Sequence, residues 1–347
     1  MGGHLRVGAC LSLSGRFARF GRQAALGLEA WRSLDGDAEL IIEDDESDRR
    51  TLEATLPGVA AKCDLLLGPY STILMRASGN VAADAGRLIW NQGGSGDDVE
   101  LAHPGYVVSV LTPTSRYAEP FVRYIAQDDG PGRDLVILYG PGRFGRQVAE
   151  GARDAAARHG IRAVMLDAGE ATLPPPGVSS DWDLFSAGVF EQDAELTARA
   201  LRLPRTPQRL CTISAGVRDF ARAVDDPDGV FGIAQWFPGG GQEVVLGPAE
   251  DKFVRAYATA GGSVPDYPAV QAAAGALIAA NCARLAGSTS RDELWAAAAS
   301  LETSTLFGGF KIDPRTGAQV SHRTVLVRWA GGELMPVGGS KSAEADR

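Results

Sequence analysis

The residues best suited to hold a ligand follow two short apolar runs. Leu65-Leu66-Leu67 stops at Gly68-Pro69 and leads into Tyr70-Ser71-Thr72, after which Ile73, Ala77 and Val81 recur at helical spacing. Leu88-Ile89-Trp90 stops in the same way at Asn91-Gln92-Gly93-Gly94-Ser95. Each run reads as a buried strand that opens into a polar loop, and two such strands lying parallel put both loops on one edge of a sheet. Strand ends and helix N-termini leave backbone N–H groups unpaired there, and the hydroxyls of Ser71, Thr72 and Ser95 add to them; the set suits a carboxylate or amide oxygen. The same residues also have a local account, with Ser71 or Thr72 as a helix N-cap and Gly93-Gly94 as a turn.

Gly140-Pro141-Gly142-Arg143-Phe144-Gly145 matches G-x-G-x-x-G between a strand and a helix, and Asp167 ends the next strand 22 residues after Gly145. That is the setting of a dinucleotide fingerprint. Pro141, Arg143 and Phe144 are bulky for a loop that hugs a pyrophosphate, and no catalytic constellation follows, so an NAD-dependent dehydrogenase is the weaker alternative. Asp44-Asp45-Glu46-Ser47-Asp48 begins at a strand end, which splays its carboxylates and favours an N-cap with a solvated loop over a magnesium site. No G-x-S-x-G elbow and no paired Cys and His support nucleophilic catalysis. Cys10, Cys63, Cys211 and Cys282 lie far apart without C-x-x-C spacing and read as buried small hydrophobes. His4, His103, His159 and His322 are equally scattered. Neither a metal nor a cofactor is expected.

These loops need a scaffold, and the chain alternates strand and helix signals to provide one. Strands over 5–13, 38–44, 65–67, 88–90 and 106–111 alternate with helices over 21–34, 48–61 and beyond Thr72. The alternation continues with a helix over 115–127, strand 135–139, helix 145–159, strands 163–167 and 182–187, helix 191–201, strand 210–213, a helix near 217–224 and strand 230–236. Such order means parallel sheets covered by helices on both faces. Helices over 249–259, 270–285 and 291–300, strands over 308–312 and 324–329, and a loose tail from about Gly338 complete the chain.

At 347 residues the chain exceeds what one core usually serves, so two lobes are expected. Its net charge of −9 argues against nucleic acid, and no run of 18 apolar residues is present to insert in a membrane. The start, MGGHLRVGACLSLSG, reads as a first strand and not a signal peptide. A cytoplasmic location and a leader removed or lying upstream both stay open.

The succession LSLSGRFARFGRQAALGLEAW, IIEDDESD, LLLGPYST, LIWNQGGS, LYGPGRFGRQ and LFGGFKIDPRTG resembles the type I periplasmic binding proteins of the Leu/Ile/Val-binding class, the solute-capturing subunits of ABC importers. The likeness runs from Arg6 to Val337. It implies an α/β fold of two Rossmann-like lobes with parallel-rich sheets, joined by a three-crossover hinge that closes on a ligand. The lobes would be 1–112 plus 239–323 and 113–238 plus 324–338, with 339–347 as a tail. Carried over by position, Thr72 resembles the family's hydroxyl for the ligand carboxylate, Gly93 the backbone carbonyl for an ammonium, and Ser95 the hydroxyl beside it, with Tyr70, Ser71 and Gln92 flanking. In the second lobe Phe144 stands where a Tyr is usual, and Phe190 where an aromatic contact is expected. The acidic partner of an ammonium would fall near Ala215, where no carboxylate stands.

The resemblance thus implies a non-enzymatic binder of an amino acid, amide or related polar or aromatic carboxylate. An ABC permease would be its partner, and an extracytoplasmic site its location. A cytoplasmic amide or amino-acid sensor that controls an operon shares the fold and is the alternative.

Overall fold

The computed structural model describes residues 4–35, 38–127, 133–240 and 243–337. The chain divides into two compact units, 1–113 with 242–323 and 114–241 with 324–347, so it passes from one to the other at three points. In order it forms β1 (Leu5–Leu11), α1 (Ala18–Asp35), β2 (Ala38–Asp44), α2 (Arg49–Ala60), β3 (Leu65–Leu67), α3 (Thr72–Asp84), β4 (Ile89–Asn91) and β5 (Val107–Ser109). Then come α4 (Glu119–Ala126), β6 (Asp134–Tyr139), α5 (Arg143–Arg158), β7 (Arg162–Asp167), β8 (Trp182–Ala187), α6 (Phe190–Ala200), β9 (Leu210–Thr212) and β10 (Phe231–Ala234). The last part holds α7 (Glu250–Thr259), α8 (Tyr267–Ala286), α9 (Arg291–Ser300), β11 (Thr303–Thr305), β12 (Gly308–Phe310), β13 (Val325–Ala330) and β14 (Glu333–Pro336).

The first unit is built on a parallel sheet of order β2-β1-β3-β4-β5. Both faces of such a sheet are covered, which is why Leu65, Leu66 and Leu67 form an unbroken apolar run and are buried to 1% or less. The chain goes from β1 outward to β2 and returns to the other side of β1 as β3. The order therefore reverses between β1 and β3, and the loops after these two strands diverge at that point. Helix α8 is long and apolar enough to cross a membrane by length and composition, but 83% of that stretch is buried inside the protein. It is a core helix, which explains why Val270, Ala273, Ala274, Leu277 and Ile278 are joined in burial by residues all round it.

The second unit has the sheet order β14-β13-β10-β9-β8-β6-β7, parallel from β10 to β7 and antiparallel where β13 and β14 join. Its order reverses between β6 and β8. One face packs on α4 and α5 through Phe121, Val148 and Ala152, and the other on Leu196 of α6 and on Phe220.

Three departures from the expected elements have local causes. The helix expected over 115–127 begins only at Glu119, with Pro at its first turn, where a missing N–H costs nothing. A single 3-10 turn, Thr114–Arg116, precedes it. In place of a helix near 217–224 stand short 3-10 turns, Ser214–Gly216 and Arg218–Arg222. Strands β11 and β14 escape notice because three or four residues carry too little alternation to register. The tail from Gly338 lies outside the described residues.

Candidate functional site

In an open parallel sheet the ligand position is the crevice outside the carboxyl ends of the strands where the order reverses. In the first unit that point is flanked by the segment after β1, with Phe17 in the loop and Phe20 in the first turn of α1, and by the segment after β3, with Tyr70 and Ser71 in the loop and Thr72 as the first residue of α3. Phe20 stacks on Tyr70 with ring centroids 4.3 Å apart, and Phe17 meets the same ring at 5.8 Å. The Tyr70 hydroxyl shares a 2.8 Å hydrogen bond with that of Tyr267, at the first turn of α8. Four rings from three separate segments thus form a half-buried aromatic wall. Two guanidinium groups join it: Arg16 lies 4.4 Å from the centroid of Phe17 and Arg19 5.9 Å from that of Phe20. Burial pushes the Tyr70 phenol up to about 12, while the bond to Tyr267 and the charge of Arg19 pull the other way.

The polar loops meet directly. Ser71 adopts a positive φ of 84° and its hydroxyl accepts from the Leu74 N–H at 3.3 Å, so it is the N-cap of α3. Its own N–H donates to the Gly93 carbonyl at 2.9 Å. The Thr72 hydroxyl accepts from the Gly96 N–H at 3.0 Å, which ties the start of α3 to the loop after β4. Gln92 is 2% exposed, and its side-chain amide donates to the Gly68 carbonyl at 2.6 Å. The Gln271 amide in turn donates to the Gln92 carbonyl. Gly93 permits this close approach, since a Cβ there would stand 2.4 Å from the Pro69 carbonyl oxygen. The Ser95 hydroxyl, in a residue 8% exposed, makes no hydrogen bond to the described residues. The structure therefore brings Tyr70, Ser71, Thr72, Gln92, Gly93 and Ser95 together. It gives Tyr70, Ser71, Thr72, Gln92 and Gly93 hydrogen-bond partners within the protein.

In the second unit the reversal of strand order is flanked by the loops after β6 and β8, and Phe144 and Phe190 stand at the first turns of the helices that follow, α5 and α6. Phe144 meets Tyr117 edge-on at 6.3 Å, and Phe190 meets Phe220 at the same distance. Gln235, 4% exposed just after β10, donates to the Tyr117 hydroxyl, and its buried side-chain oxygen has no partner among the described residues. Asp193 is fully buried in the first turn of α6 and accepts from the Ser186 hydroxyl at 2.6 Å, the Gly188 N–H at 3.0 Å, and the N–H and hydroxyl of Ser214 at 3.0 and 2.9 Å. Burial pushes its carboxyl up to about 6 despite these four donors. It clasps the loops after β8 and β9. Ala215, beside it, is fully buried; its N–H is bound to the Thr212 hydroxyl and its carbonyl to Trp329.

The remaining motifs resolve into backbone roles. Asp48 N-caps α2, Asp44 accepts from the N–H groups of Leu13, Ser14 and Glu46, and Asp45 from the Ser12 hydroxyl and Ser47 N–H. Asp45 is fully buried, so that part of the loop is not solvated as its charge suggested. Gly142 starts α5 at a φ of 97°, and a Cβ on Gly145 would stand 2.6 Å from the Ala187 carbonyl. The glycine spacing is accounted for by a turn and by close helix-to-strand packing. All four cysteines are buried and free. No group of three or more metal-ligating side chains is found among the described residues.

A family model described as periplasmic binding protein matches residues 4–333. The chain belongs to that family. Solved structures similar to this periplasmic binding protein include the branched-chain amino acid transporter substrate binding protein LivJ from Streptococcus pneumoniae in complex with isoleucine. That match has 14% identity, covers 96% of this chain and 99% of the other, and has a TM-score of 0.76. An ABC transporter substrate-binding protein from Desulfitobacterium hafniense in complex with Leu matches at 17% identity over 96% and 99% of the chains, with a TM-score of 0.78. A solute binding protein of an ABC transporter from Rhodopseudomonas palustris in complex with p-hydroxybenzoic acid matches at 17% over 96% and 95%, with a TM-score of 0.74. At these identities the likeness establishes the fold. The expected fold class and family are borne out.

Sequence reasoning missed Phe17, Phe20, Arg19 and Tyr267. The signal was present in RFARF, where aromatic and basic residues alternate just after the first strand, but only the fold shows Tyr267 approaching from 197 residues away.

Proposed function

We propose that this periplasmic binding protein is the solute-binding component of an ABC importer and that its ligand is a small carboxylate with a planar aromatic body. The observation that carries this reading is the wall of Phe17, Phe20, Tyr70 and Tyr267 with the Arg19 guanidinium beside it, at the point where strand order reverses in the first unit. A flat ring stacks on such a wall, and a guanidinium forks onto a carboxylate. The Ser95 and Thr72 hydroxyls supply further donors, and Tyr70 lines the wall. Ser71, Gln92 and Gly93 hold the loops in shape. An amino acid fits less well, because an ammonium needs a carboxylate partner and the family resemblance puts that partner near Ala215, where no carboxylate stands; leaving a buried ammonium unpaired costs several kcal/mol, roughly. The protein acts without catalysis, outside the cytoplasm, and hands its ligand to a permease. Support comes from the family and from a neighbour that holds p-hydroxybenzoic acid.

A thermal-shift panel of 4-hydroxybenzoate, benzoate, benzamide, leucine and NAD tests the reading. The expected result is stabilisation by the two aromatic acids and none by NAD. Stabilisation by leucine alone would move the ligand class to amino acids, and a shift with NAD alone would overturn the binding-protein reading.

A further inference from the structure

Beneath the glycine loop of the first unit lies a chain of buried polar groups that the ligand reading leaves unused. Asn91, fully buried at the end of β4, accepts from the Gly93 and Gly94 N–H groups at 3.2 and 2.8 Å and donates to the Gly94 carbonyl at 2.6 Å. Its amide also donates to the Ser109 hydroxyl oxygen at 2.7 Å, at the end of β5. Ser109, 1% exposed, donates in turn to the carboxylate of Glu100, which is 5% exposed. Every hydrogen-bonding site of the Asn91 side chain is thus engaged, and its orientation is fixed from below by Ser109 and Glu100.

We infer that Glu100 is a positioning residue for the ligand loop: through the Ser109 hydroxyl and the Asn91 amide it fixes the Gly93 and Gly94 N–H groups, and with them the place of the Ser95 hydroxyl. A glutamine at 100 could accept the same hydroxyl. What the carboxylate adds is charge, since a hydrogen bond to an ionised acceptor is shorter and about twice as strong as one between neutral groups. The loop is held tightly when Glu100 is ionised and loosely when it is protonated. Burial pushes this carboxyl up to about 7, and the charges of Asp97 and Asp98 add to the rise, while the Ser109 hydroxyl opposes it. Asp98 is itself paired with Arg76 of α3, and the ring of His103 lies against Gly79 on the same helix. Among the described residues the charges that act on Glu100 are Asp97 and Asp98 of its own loop, and β5 contributes the Ser109 hydroxyl. The inference rests on assigning the loop after β4 to the ligand.

The test has two arms. In the ligand-free protein the amide resonances of Gly93 and Gly94 should titrate with a midpoint near pH 7 and stay flat in Glu100→Gln, while Asp97→Asn, which removes a like charge, should move the wild-type midpoint to lower pH. With 4-hydroxybenzoate as probe, wild-type affinity should fall about fivefold on acidification through neutral pH, and Glu100→Gln should show the weaker value throughout. Amide shifts that do not titrate, or that titrate identically in Glu100→Gln, would overturn the inference. The amide arm needs no ligand, so it decides the matter even where 4-hydroxybenzoate fails to bind and the ligand reading falls.

Discussion

Thr72 and Ser95 are both hydroxyl residues 8% exposed at the same loop pair, yet their surroundings differ. The Thr72 hydroxyl is the partner of the buried Gly96 N–H, so Thr72→Val leaves a donor unsatisfied and should cost about 1–3 kcal/mol of stability. Ser95 has no such internal partner, and Ser95→Ala should change stability by no more than about 0.5 kcal/mol. Urea unfolding of the two variants without ligand checks the contrast; equal losses would mean that the hydroxyls share one role. Residue types alone could not separate them, because an N-cap, a loop tie and a free donor are all served by Ser or Thr. The cap proved to be Ser71, and the tie Thr72.

At the scale of elements, the glycine loop before α5 illustrates how a motif is read from spacing and understood from packing. Gly145 is needed because a Cβ would meet the Ala187 carbonyl at 2.6 Å. Gly145→Ala should therefore push α5 away from β8 and cost about 1–3 kcal/mol, measured by urea unfolding, whereas Pro141→Ala at an exposed position should be near neutral. A neutral Gly145→Ala would mean that the loop has room for a bound group. The elements themselves were legible where periodicity is strong. The bounds of Ala38–Asp44, Leu65–Leu67, Trp182–Ala187 and Arg291–Ser300 are those expected. What was not legible is the aromatic wall, since it joins residues 17, 20, 70 and 267 through the order of strands and not through any local pattern.

For the whole molecule, buried carboxyls set a pH dependence. Folding raises Asp193 to about 6 and Glu100 to about 7, in each case chiefly through burial. A carboxyl whose folded value is raised contributes stability in full below its unfolded value, about pH 4, and loses it as pH rises through the folded value. Asp48, Asp64 and Asp134 are lowered by hydrogen bonds and by Arg neighbours, so their contribution is lost only as pH falls below the ordinary carboxylate range. The two groups of carboxyls together place greatest stability at mildly acid pH. Urea unfolding should give a larger free energy at pH 5 than at pH 8, and Glu100→Gln should shrink the difference; a larger free energy at pH 8 in wild type would contradict this. Net charge and composition predicted none of it, because the effect comes from where Asp193 and Glu100 are buried.

The central claim, that the chain captures an aromatic carboxylate beside Arg19 and the Tyr70 wall, is tested most directly by calorimetric titration of 4-hydroxybenzoate into wild type and Arg19→Met. The account predicts one site with a negative heat-capacity change from burial of the ring, and an affinity about tenfold or more weaker in Arg19→Met. At 100 times the dissociation constant the wild type should gain about 2.7 kcal/mol in stability. Equal affinity in the two proteins, or no binding to wild type, would contradict it.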